Sequence, residues 1–195
     1  YESAAESYRK VIKIKPDIAE VHLNLGQALA KSQRPDEAID SYKEALRIKT
    51  DYAEAHNNWG RALFAKGQYN DAIAQYRQAI KFNPHYAIAY YNMGQAQHTK
   101  AALYKQEDED WNLEEFFAEL DNVLFSFNQA IEINPAYAEA HFKVAQVFHD
   151  KLEAKLIVGN ELQDQALLGK AEESLKLALT IKPKYAEAHY TMGVT

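Results

Sequence analysis

The stretch AEAHNNWGRALFAKGQYNDAIAQYRQAIKFNPHY, from Ala53 to Tyr86, decides the fold. Counting Ala53 as position 1, small residues stand at positions 8, 20 and 27 (Gly60, Ala72, Ala79). Larger apolar or aromatic residues stand at positions 7, 11 and 24 (Trp59, Leu63, Tyr76), and Pro84 closes the stretch at position 32. This is the pattern of two short helices folded back on each other, with Gly67 in the turn between them. Two helices approach closely only where small side chains face each other, and large ones then fill the gaps between turns.

Outward from this stretch the chain repeats itself. Residues 19–52 carry Leu25, Gly26, Leu29, Ala38, Tyr42 and Ala45 at the same places, with Thr50 where the proline is expected. Residues 1–18 match a second half only, through Ala4, Tyr8, Val11 and Pro16. Residues 87–137 match at both ends (Met93, Gly94; Phe127, Ala130, Pro135), but the Pro84–Pro135 spacing of 51 exceeds the repeat of 34 by 17. Residues 138–185 match again (Val144, Ala145, Phe148; Ala171, Leu175, Ala178, Pro183), with an excess of 14, and 186–195 are a first half. On these register-locked matches the chain resembles the tetratricopeptide-repeat family, whose unit is a 34-residue helix–turn–helix. The resemblance implies an all-α, right-handed solenoid spanning 1–195 as one domain, two of its repeats having elongated helices.

Composition narrows the function classes. The chain has no cysteine, which removes disulfides, thiolate zinc sites and cysteine nucleophiles. No apolar run approaches the ~20 residues of a membrane helix, and no secretory signal is visible. The compartment is not fixed by composition, the cytoplasm being favoured. Residues 105–121 hold eight acids and one lysine, a local charge of −7 against a net charge of −6, so the rest of the chain is close to neutral. No basic stripe for nucleic acid is present. Neither nucleic acid nor a membrane is therefore expected as a partner.

The periodicity predicts ten helices, over about 2–14, 17–31, 35–48, 52–65, 69–82, 85–105, 112–133, 136–157, 161–181 and 185–194. Asn83-Pro84 and Asn134-Pro135 read as helix starts, asparagine capping and proline at the first position. Thr50-Asp51 reads as a cap for the next helix. Both insertions fall in the turn between the helices of their unit. Leu113, Phe116, Phe117, Leu120, Leu124, Phe127 and Ile131 hold a helical period across the first, starting from a cap at Asn112. Phe148, Leu152 and Leu156 do so into the second. The insertions are thus expected to be longer helices that bury each other's apolar stripe; an acidic loop around 106–110 is the alternative.

Catalysis finds no support. No nucleophile elbow or Gly-rich phosphate loop is present. His22, His56, His141 and His189 recur at position 4, on helices one repeat apart, too far to share a metal ion. His98 and His149 both fall at position 12, with Asp150 beside them, and packing is the simpler reading of all six. No cofactor, metal or catalytic residue is expected.

The family resemblance implies that first helices line a concave groove, with positions 2, 5, 6, 9, 12 and 13 pointing into it. Position 6 reads Asn24, Asn58, Asn92, then Lys143 and Thr191; position 9 reads Gln27, Arg61, Gln95 and Gln146. An amide offers both a donor and an acceptor, and so pairs with a peptide group whatever the side chain. The asparagines resemble the ladder of the O-linked N-acetylglucosamine transferase superhelix, cut to three rungs. The two-carboxylate clamp of chaperone-binding members is not matched, since only Asn58 of Leu23, Gln27, Asn58, Ile88 and Asn92 agrees. Tyr91 and Phe142, with Phe64 and Tyr190, are expected as aromatic groove walls. The expected function is a protein-interaction scaffold holding an extended peptide or helix of a partner. The alternatives are the substrate-recruiting arm of a larger enzyme such as a glycosyltransferase, or an assembly factor or chaperone. Residues 1–15 and 186–195 are complementary halves of a unit, so head-to-tail self-association through them is also expected.

Overall fold

A computed structural model of the chain describes residues 1–107, 112–157 and 164–194. Among the described residues the fold is all-α. Ten helices run α1 (Glu2–Ile14), α2 (Ala19–Lys31), α3 (Pro35–Ile48), α4 (Ala53–Ala65), α5 (Tyr69–Phe82), α6 (Ala87–Glu107), α7 (Leu113–Ile133), α8 (Ala138–Ile157), α9 (Gln165–Ile181) and α10 (Ala186–Val194). They fall into two compact units, 1–96 and 97–195, each with its own core.

In the first unit, α2 pairs with α3 and α4 with α5. The pairing is set by one contact per hairpin. Gly26 lies against the ring of Tyr42, and Gly60 against that of Tyr76, both rings being buried. Each glycine lets the ring lie flat on the helix backbone, and each ring so buried contributes roughly 1.5–3 kcal/mol. In the second unit Ala145 and Leu175 stand at these positions and share a core. A smaller partner thus meets a larger neighbour, and volume is conserved.

Two kinds of turn join the helices. Inside a hairpin, Gly67 takes φ +75° and Gln33 takes φ 59° at the equivalent place. Gln68 N donates to Leu63 O and Arg34 N to Leu29 O, each at 3.0 Å, closing the same helix end. Between hairpins the chain makes a β-turn. Tyr86 N donates to Asn83 O, Tyr137 N to Asn134 O and Tyr185 N to Lys182 O. The prolines occupy the second place of these turns, where their fixed φ is favoured. This corrects the expected helix starts. Asn83 and Asn134 end the preceding helices, their side chains accept from His85 N and Ala136 N, and the next helices begin at Ala87 and Ala138. Thr50-Asp51 likewise lies in a turn, with Tyr52 N donating to Lys49 O, and α4 has no side-chain cap.

The position-4 histidines tie these turns down. The ring N–H of His22 donates to Pro16 O at 2.7 Å, that of His141 to Pro135 O at 3.1 Å and that of His189 to Pro183 O at 2.8 Å. His56, which has Thr50 in place of a proline, bonds Gln75 Oε1 at 2.9 Å and stacks on Phe82.

The second unit contains the elongated helices, and among the described residues the insertions lengthen α6, α7 and α8 as expected, while the start expected at 161 lies outside those residues. Asn112 caps α7 by accepting from Glu115 N, and Asp164 caps α9 by accepting from Leu167 N. Phe116, Leu120, Val123 and Phe127 of α7 are buried. The added turns meet through charge as much as through apolar area. Lys105 pairs with Glu153 and Lys151 with Asp121, while Lys151 also lies over the Phe117 ring. Leu156 stays exposed rather than joining a stripe. The loop expected at 106–110 lies largely outside the described residues.

Candidate functional site

In the first unit, one side of α4 and the start of α6 wall a groove of about 620 Å³. Gln27, Asn58, Arg61, Asn92 and Gln95 line it together, as do Phe64 and Ile88. Five of the expected peptide-contacting residues are therefore brought to one place. Asn24 is half-buried and does not line it.

The polar groups of the groove are unevenly satisfied. Asn92 Nδ2 donates to Asn57 Oδ1 at 2.9 Å, which fixes the Asn92 amide and leaves its oxygen for another donor. Gln27 Nε2 donates to Glu54 Oε1 at 2.9 Å, and Gln95 Nε2 to the Tyr91 hydroxyl at 3.2 Å. Asn58 differs. Only 7% of it is exposed, and its covered Nδ2 has no hydrogen-bond partner among the described residues. A buried donor left unmade costs about 1–3 kcal/mol. Arg61 projects outward, and its charge acts on the phenols of Tyr42, Tyr76 and Tyr86. Burial raises Tyr86 above the ordinary tyrosine range, Glu54 adds to this and Arg61 opposes it.

Position 5 departs from expectation. Leu23, Asn57 and Phe142 are all buried there, so this position faces the core on these helices. Phe142 is a packing residue, its ring 5.0 Å from that of Tyr185, rather than a groove wall. Asn57, which also lines the groove and holds the Asn92 amide, is the residue that the sequence pattern does not single out. Its only signal is the Asn57-Asn58 doublet, in which the first amide accepts from Asn92.

The remaining candidates belong to the second unit. Lys143 Nζ donates to Gln146 Oε1 at 2.8 Å. Burial pulls Lys143 below the ordinary lysine range, and Glu187 and Asp150 push it back up. His98 Nε2 meets Asp150 Oδ2 at 2.5 Å beside the Lys105–Glu153 pair, around a cavity of about 360 Å³. His149 is exposed and takes no part in it. Among the described residues no three His, Asp or Glu side chains gather in a way that could hold a metal ion. None of the described helices is long and apolar enough to cross a membrane.

Known proteins give the following likenesses. The tetratricopeptide repeat model matches residues 1–53, and a TPR repeat model matches residues 60–100. The crystal structure of MamA superposes with a TM-score of 0.68 at 25% identity, covering 94% of this chain and 89% of MamA. The human IFIT1 dimer with PPP-AAAA gives a TM-score of 0.68 at 17% identity, over 96% of this chain and 38% of IFIT1. The first TPR of Spaghetti (RPAP3) bound to the HSP90 peptide SRMEEVD gives 0.56 at 20% identity, over 68% of this chain and 91% of that domain. No curated protein matches the chain.

Proposed function

The chain is a tetratricopeptide-repeat protein, and from that premise we propose that it binds an extended segment of a partner protein in the groove of its first unit. The observation that carries this reading is the Asn58 side chain, which lines the groove and whose amide donor, covered in the free protein, finds no acceptor among the described residues. A turn of that side chain about its last bond presents the donor to a backbone carbonyl of a bound segment, which supplies the acceptor. The Asn92 oxygen, its amide held by Asn57, is oriented to accept a backbone N–H of the same segment. Both contacts are with peptide groups, so they grip a chain without dictating its side chains. The RPAP3 domain, similar in fold, is bound to a peptide, which is consistent with this use of the fold. No catalytic role is proposed, since the groove holds no nucleophile and base in contact.

The test is selection of peptides from a displayed random library on the parent protein, followed by affinity measurements on Asn58→Ala and Asn92→Ala. Each substitution is expected to cost roughly 0.5–1.5 kcal/mol of binding, the worth of one net hydrogen bond. Equal affinities for parent and double variant would remove the reading.

A further inference from the structure

We propose that the same groove reads an acidic side chain of the bound segment, seated on Arg61, next to an apolar side chain lying against Ile88 and Phe64. The inference rests on the peptide-binding reading and adds the chemistry of the partner. The charged residues lining the groove are Lys31, Glu54 and Arg61. Two cations against one carboxylate make it locally positive, on a chain whose net charge is −6. The carboxylate is already engaged, since Glu54 accepts from Gln27. Lys31 lies over the Tyr1 ring at 5.1 Å.

Three arginines of the unit carry ion pairs; among the described residues Arg61 and Arg77 do not, and of these two Arg61 lines the groove. Arg9 pairs with Glu37, Arg34 with Glu2 and Glu37, and Arg47 with Asp17 and Glu44. Among the described residues Arg61 makes no ion pair and no hydrogen bond, although its guanidinium offers five donors in a fork that matches a carboxylate. It stands one helical turn from Asn58 on α4, so a carbonyl held by Asn58 places a nearby side chain within its reach. Ile88, 47% exposed, and Phe64 supply apolar wall beside it. The carboxylate belongs to a side chain rather than a chain end. Asn58 and Asn92 lie on successive first helices, and a segment that meets both runs on past Arg61 with its backbone unbroken.

The experiment uses random peptides displayed without a free C-terminus, selected in parallel on the parent and on Arg61→Glu. The parent is expected to enrich Asp or Glu beside an apolar residue, and Arg61→Glu to enrich Lys or Arg at that place. In acetylated, amidated synthetic peptides, changing the acidic residue to its amide should weaken binding to the parent about fivefold at low salt, less as salt is added. Equal helix content and thermal midpoint for parent and variant show that both are folded. The same acidic preference on Arg61→Glu overturns the inference. So does binding that requires an unamidated C-terminus. Peptides selected without charge preference, yet weakened by Asn58→Ala, overturn it while leaving the groove reading intact. Failure to select any peptide overturns both.

Discussion

A methyl group added to Gly60 would lie 2.6 Å from the Tyr76 ring, and one added to Gly26 2.5 Å from that of Tyr42. Neither ring can retreat, because both are buried on their other sides. Overpacking of about 3 kcal/mol outweighs the ~1 kcal/mol that alanine gains over glycine in a helix, so Gly60→Ala should destabilise by about 2 kcal/mol. Tyr76→Leu in the same chain should recover part of the loss, as the Ala145–Leu175 pairing of the second unit implies. A double-mutant cycle by denaturant unfolding measures that coupling, and simple additivity would refute the pairing. These pairs were legible in the sequence because a small residue opposite a large one leaves a fixed spacing. The Asn57–Asn92 bond was not, since nothing in one sequence says which of two adjacent amides turns inward.

At the scale of elements, helix existence and type followed from periodicity, and so did most helix starts, but not those after the Asn-Pro pairs. Asn-Pro satisfies a helix start and a β-turn equally well in sequence. The turn prevails at both Asn-Pro sites because the asparagine side chain accepts from the backbone N–H two residues on, His85 in one and Ala136 in the other. The hairpin turn yields a direct prediction. Gln33 holds a left-handed conformation that Gly67 holds without steric cost in the next unit. Gln33→Gly should therefore stabilise by about 0.5–1 kcal/mol, the relief of strain exceeding the added chain entropy. Gly67→Ala should destabilise by about 1 kcal/mol. Thermal midpoints moving the opposite way would show that this turn does not hold the strain assigned to it. The elongated helices were legible from their unbroken period, but their ion pairs were not, because the partners lie some 30 to 50 residues apart.

For the molecule as a whole, the tyrosines set a limit on the alkaline side. Burial pushes the Tyr42 phenol up to about 12, and Tyr76 higher still; in the second unit burial pushes Tyr185 up to about 12. A phenol whose folded value lies above its unfolded value of about 10 keeps its stabilising effect below pH 10. The effect is lost as pH rises from there through the folded value. Stability should thus fall steeply between about pH 10 and 12, with phenolate absorbance rising together with loss of helix. Phenolate forming while the helices persist would contradict it. The central claim, that the groove holds a peptide backbone through Asn58, is reached most directly by nuclear magnetic resonance of the asparagine side-chain amides. Titration with a selected, end-blocked peptide should shift the Asn58 amide protons downfield as its orphan donor gains an acceptor, and Asn58→Ala should remove the signal and weaken binding without lowering stability. A peptide that binds tightly while the Asn58 amide stays unmoved would contradict the account.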